Sequence, residues 1–145
     1  MKVNISIDEE LMKKVDAYIE KKNHMSIPDM FSLKGEAYFR EREKNALDDF
    51  IDKDRFIISC GGGIIGDISN KELMNGKVIF IDVDINTLKE RISNDKINIR
   101  PMFKTKTVDE LYNERIDKYN LFKDYTVKNI NVVDAVKEIK EVLGL

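Results

Sequence analysis

The sequence is poor in the residues that staple, cage or anchor a protein. With one cysteine and one histidine, an internal disulfide is excluded, and a zinc site of ordinary ligand count would need carboxylates. No run of about 18 apolar residues occurs, and the N-terminus carries no signal-peptide core. Internal repeats and low-complexity linkers are also missing. Net charge is only −2, so no global pull toward nucleic acid or an anionic membrane is expected. These absences leave a cytoplasmic protein, with no membrane and no nucleic-acid partner expected. At 145 residues it is read as a single domain, 1–145, with enough chain to bury a core.

What is present alternates between two periodicities. KVNISI (2–7) reads as a half-buried strand, and Asp8 opens an amphipathic helix, DEELMKKVDAYIEKK, with Leu11, Val15, Tyr18 and Ile19 on one face. Ser26-Ile-Pro-Asp29 is a capping pattern that starts a short helix to about Leu33. Gly35 breaks it, and GEAYFREREKNALDDFIDK continues as a longer helix. RFIIS (55–59) and KVIFIDV (77–83) are continuously apolar, as strands buried on both faces are. NTLKERI follows, then VDELYNERIDKYNLF, opened by Thr107 with Glu110 at its third position, then VVDAVKEIKEVL stopped by Gly144. Strands alternating with helices indicate an α/β layer on a mostly parallel sheet.

The segment IISCGGGIIG (57–66) puts glycines at the end of an apolar run. Bare backbone there admits close approach of a ligand, and its N–H groups can face an anion. A P-loop would need Lys and then Ser or Thr after Gly66, but Asp67 and Ile68 stand there, so that reading fails. A dinucleotide fingerprint fits Gly61, Gly63 and Gly66, with Asp82 as the ribose-binding acid. It requires a crossover helix starting inside the glycines, and DISNKELMNGK offers a turn or two. An NAD-dependent oxidoreductase is therefore the third-ranked reading.

Arg40 (GEAYFRERE), Arg100 (IRPMF) and Arg115 (YNERIDKY) complete the candidates. The planar guanidinium pairs with carboxylate or phosphate through two hydrogen bonds at once. Arg100 precedes Pro101 in a long polar stretch, SNDKINIRPMFKTKT, which has the profile of a lid over residues 94–106.

In order and spacing, MSIPDMFSLKGEAYFREREKNAL, FIISCGGGII, VIFIDVDINTLKERI, IRPMF and YNERIDKY resemble the shikimate kinase family, from about Asp16 to the C-terminus. The resemblance implies a three-layer P-loop-kinase-like α/β fold with a mostly parallel sheet, here altered at its N-terminus. It also implies ATP-dependent phosphorylation of the 3-hydroxyl of shikimate, on the aromatic (chorismate) pathway, with Mg²⁺. Carried over by motif, Arg40 and Arg115 would clamp the substrate carboxylate, and Glu43 would hold Arg40 from behind. Gly61, Gly62 and Gly63 would offer backbone N–H groups, and Asp16 would engage the ring hydroxyls. Arg100 would close over the transferring phosphoryl group, and Arg91 would line the adenine pocket. No metal ligand is assigned.

The family's Gly-Lys-Ser/Thr loop does not occur in this sequence, and Lys14 stands where its metal-associated first aspartate would be. If the chain is complete as written, ATP and Mg²⁺ binding and independent kinase activity are expected to be weakened or lost. A shikimate-binding homologue without catalysis is the alternative. Residues 1–13 do not resemble the family. MKVNISIDEELMKKVDAYIEKK is instead similar to the start of ribbon-helix-helix DNA-binding proteins, with Lys2, Asn4 and Ser6 on one strand face. A replacement strand covering the sheet edge is the preferred reading of that segment, and a DNA-binding regulator the rival. His24 is expected on a surface loop, Cys60 as a small buried group, and Tyr119 and Phe122 in the core. Oligomeric state is not legible.

Overall fold

The structure, a computed structural model, describes residues 12–51, 57–94 and 106–144. The chain falls into two compact units, divided in sequence between Asn75 and Gly76. In the first, strand β1 (Met12–Lys14) leads directly into helix α1 (Val15–Asn23). A helical turn α2 (Ile27–Asp29), a π-helical stretch (Met30–Lys34) and helix α3 (Glu36–Phe50) follow. Strand β2 (Ile57–Ser59), a 3₁₀ turn (Gly62–Gly66) and the short helix α4 (Asn70–Leu73) complete it. The second unit holds β3 (Ile79–Asp82), α5 (Ile85–Asn94), α6 (Val108–Phe122), β4 (Tyr125–Lys128) and α7 (Val132–Leu143).

Both strand pairs are parallel. β1 runs beside β2 with Met12 opposite Ile57 and Lys14 opposite Ser59, and β3 beside β4 with Ile79 opposite Tyr125. Two expectations are corrected here. Met12–Lys14 lies inside the stretch read as a helix from Asp8, yet it is strand, because pairing with β2 overrides a local helical pattern. The apolar runs are also less covered than a strand buried on both faces: Ile58 and Ser59 are exposed, and β3 is half-buried along its length. An apolar run reports strand propensity, whereas its burial depends on what packs over it. The strand expected at 2–7 lies outside the described residues, as does the lid apart from Asn94 and Lys106.

The helix ends follow the sequence closely. Ser26 Oγ accepts from the Asp29 N–H at 3.3 Å. Thr107 and Glu110 close a reciprocal capping box at the start of α6. Asn131 Oδ1 accepts from the Asp134 N–H at 2.9 Å, and Gly144 ends α7 in the left-handed region at φ 73°. In the first unit Val15 and Ile19 of α1 pack with Met30, Phe39 and Ala46. Phe31 and Phe39 meet as tilted rings at 5.1 Å, and so do Tyr18 and Phe50 at 4.8 Å. The second unit packs Val127, Ala135 and Ile139 against Ile79, Ile81 and Leu143. Phe80 lies flat on Tyr119 at 4.4 Å, and Phe122 is buried, so Tyr119 and Phe122 serve packing as expected. Among the described residues no helix is long and apolar enough to cross a membrane.

Candidate functional site

The first unit brings α1, α3 and the glycine segment to one place. Gly35, at φ 88°, allows the chain to leave the π-helical stretch and enter α3, which carries Glu36, Arg40 and Glu43 at successive turns of one face. Arg40 Nη1 donates to Glu43 Oε1 at 2.6 Å, and the Glu43 side chain is only 2% exposed. Arg40 Nε and Nη2 both donate to Glu36 Oε1, each at 3.3 Å. The guanidinium also lies 5.2 Å from the ring centre of Phe39 and 5.9 Å from that of Phe31.

The glycines fit against these groups. A Cβ built on Gly61 would lie 3.5 Å from Asp16 Oδ1 and 3.8 Å from Glu43 Oε2. One built on Gly63 would overlap the Arg40 guanidinium outright. The turn is fixed from behind: Ile64 and Ile65 are buried, and the buried Asn70 donates from Nδ2 to the Ile64 carbonyl at 2.8 Å. Asp16, Arg40, Glu43, Gly61 and Gly63 are therefore brought together, with Gly62 in the same turn.

Cys60 corrects an expectation, because the residue is exposed. Its thiol is nonetheless pushed up to about 12, first by loss of hydration and then by the charges of Glu43 and Asp16. A thiol held protonated is a poor nucleophile, in line with the absence of an activating base in its sequence neighbourhood. His24 ends α1 as an exposed residue in the left-handed region at φ 53°.

Arg115 on α6 and Arg91 in the last turn of α5 belong to the second unit, the former half-buried and the latter exposed. Arg100 lies outside the described residues. The dinucleotide reading of Gly61, Gly63, Gly66 and Asp82 is corrected: Gly62–Gly66 form a 3₁₀ turn, and the four-residue α4 that follows cannot present the N-terminus of a crossover helix to a pyrophosphate. Among the described residues no group of three His, Cys, Asp or Glu could hold a metal ion.

Sequence reasoning missed two features. Glu36 escaped notice although it stands four residues before Arg40, the spacing of a helical ion pair. It also missed the fastening of the glycine turn to α3. Lys44 Nζ meets Asp67 Oδ2 at 3.2 Å and also bonds Ser69 Oγ, while Asp67 Oδ1 accepts from the Ser69 hydroxyl at 2.7 Å. Hydrogen bonds from Ser69, assisted by Lys44, hold the Asp67 carboxyl below its ordinary range. A carboxylate with a depressed folded pKa contributes stability that is full above its unfolded pKa and lost as pH falls through the folded value. Asp67→Asn is therefore expected to lower stability slightly at neutral pH, with the gap to the parent closing below about pH 4. Urea unfolding of the two proteins across that range measures it, and a gap that stays constant with pH contradicts the assignment.

Comparison with known proteins points to one family. The family model described as Shikimate kinase matches residues 12–143. A shikimate kinase of Sulfurihydrogenibium is 37% identical over 111 residues, which is 74% of this chain and 66% of that protein. One of Clostridium botulinum is 36% identical over 145 residues, covering 94% of this chain and 86% of its own. Among solved structures, the Acinetobacter baumannii shikimate kinase in complex with shikimate superposes with a TM-score of 0.76 at 25% identity, over 92% of this chain and 78% of that one. The chain thus spans just under two thirds of the first relative's length and more of the other two.

Proposed function

This chain belongs to the shikimate kinase family, and from that premise we propose that Asp16, Arg40 and Gly61–Gly63 form its acceptor site, which binds shikimate for phosphorylation of the 3-hydroxyl by ATP. The supporting observation is the setting of Arg40: the guanidinium is gripped by buried Glu43 at 2.6 Å and laid against the Gly63 backbone. Such a group is oriented before any ligand arrives, so little ordering remains to be done on binding. Its fork suits a carboxylate. Peptide N–H groups of the glycine turn suit hydroxyl oxygens, and the exposed Asp16 carboxylate in the first turn of α1 can orient the acceptor hydroxyl and take its proton.

The charged groups gathered around Arg40 and Gly61–Gly63 in this reading are Asp16, Glu36 and Glu43. Arg115 is assigned to the substrate carboxylate on the resemblance alone. Arg91 and Arg100 are assigned to the nucleotide side on the resemblance alone. Among the described residues no group of three His, Cys, Asp or Glu is placed to hold a metal ion, and Lys14 stands two positions before Asp16, so no residue is assigned to Mg²⁺. No step is therefore derived through the metal. Phosphoryl transfer depends mainly on positioning and charge neutralisation, and what these residues contribute is the placement of the acceptor.

Thermal unfolding with shikimate alone tests the reading. A ligand at 100 times its dissociation constant stabilises by about 2.7 kcal/mol. A clear upward shift is expected for the parent and a much smaller one for Arg115→Ala at the same shikimate concentration. A parent protein that does not respond, or a variant that responds equally, would overturn the assignment.

A further inference from the structure

The guanidinium of Arg40 has few directions open to a ligand. Nη1 is taken by Glu43 at 2.6 Å, and the side carrying Nη1 and Nη2 meets the Gly63 backbone. The remaining fork, Nε with Nη2, is occupied by a single oxygen of Glu36 at 3.3 Å from each nitrogen. That fork is the edge a carboxylate ligand uses for two parallel hydrogen bonds.

The two glutamates hold Arg40 on different terms. Glu43 is 2% exposed and close, whereas Glu36 is 51% exposed and distant, sharing one oxygen between two donors. A buried short pair is a permanent fixture, and an exposed long one exchanges readily with solvent. Glu36 is also the first residue of α3, where water and the positive end of the helix receive its carboxylate once it lets go.

We propose that Glu36 is an internal stand-in for the substrate carboxylate: it occupies the Nε–Nη2 fork of Arg40 in the resting protein, and an anionic ligand binds by displacing it. The inference rests on the acceptor-site reading and adds to it a built-in competitor. Glu36 keeps the fork aligned while vacant of substrate; a carboxylate must displace it to enter, whereas a neutral ligand leaves it in place. Neutral polyols gain nothing by the exchange.

The test compares the parent, Glu36→Gln and Arg40→Ala by calorimetric titration with shikimate and with its neutral carboxamide. Removing an exposed competing charge is expected to tighten shikimate about two- to fivefold in Glu36→Gln, the size of an exposed ion pair. Carboxamide affinity should stay the same, a pattern that loss of a merely structural contact would not produce. Unchanged or weakened shikimate binding in Glu36→Gln, or equal tightening of both ligands, overturns the proposal while leaving an Arg40-dependent site in place. If neither parent nor Glu36→Gln binds shikimate, the acceptor-site reading falls and this inference with it.

Discussion

Arg40→Ala is expected to weaken shikimate binding by about ten- to a hundredfold and to lower the unfolding free energy by about 1.5–3 kcal/mol. The two losses have separate origins. Binding falls because a charge-assisted fork is removed from the ligand's carboxylate. Stability falls because Glu43, at 2% exposure, loses the guanidinium that neutralised it at 2.6 Å. A buried carboxylate deprived of its counter-charge costs far more than an exposed one. Chemical denaturation and calorimetric titration read the two effects independently.

Arg40→Lys tells them apart. An ammonium restores the charge facing Glu43, so most of the stability is expected to return. It cannot restore the fork or the guanidinium contact with Phe39, whose ring centre is 5.2 Å away. Affinity is therefore expected to stay near that of Arg40→Ala. If lysine recovered binding along with stability, Arg40 would be acting as a point charge in the fold and not as a carboxylate clamp.

The parts of this site that were legible in the sequence are those with local causes. Ser26, Thr107 with Glu110, and Gly144 mark helix ends through bonds or backbone shapes that span a few residues. The triple glycine marks a place where bare backbone is required, and Gly63 against Arg40 is such a place. What depended on distant partners was not legible. Met12–Lys14 carries a helical pattern and becomes strand only through its register with Ile57–Ser59. Tyr125–Lys128 went unread as a strand, although it pairs with Ile79–Asp82 along its full length. Cys60 was read as buried from its place at a strand end, and its exposure follows from packing that no local pattern encodes. Glu36 falls between these cases. Its spacing to Arg40 was visible, but which edge of the guanidinium it takes depends on Glu43 and Gly63 holding the other edges.

Gly63→Ala isolates the contact between loop and clamp. Gly63 does not sit in the left-handed region, so alanine is free to adopt its backbone conformation. The conflict is purely steric: the new methyl falls on the guanidinium of Arg40, the far end of a flexible side chain, which gives way more easily than backbone. Arg40 is expected to swing out of its seat while the turn, anchored by buried Ile64 and Ile65, stays folded. Shikimate affinity should fall about tenfold or more, close to the effect of removing Arg40, with a smaller loss of stability because the displaced cation remains tethered near Glu43. Gly66→Ala is the control, since nothing lies within 4 Å of its Cβ. It should bind normally and gain up to about 1 kcal/mol from the stiffer unfolded chain. Because the methyl acts through Arg40, adding Gly63→Ala to Arg40→Ala should cost no further affinity, a departure from additivity that only coupled residues show. Full additivity in that cycle would mean that Gly63 meets the ligand by itself and that its pressure on Arg40 has no part in binding.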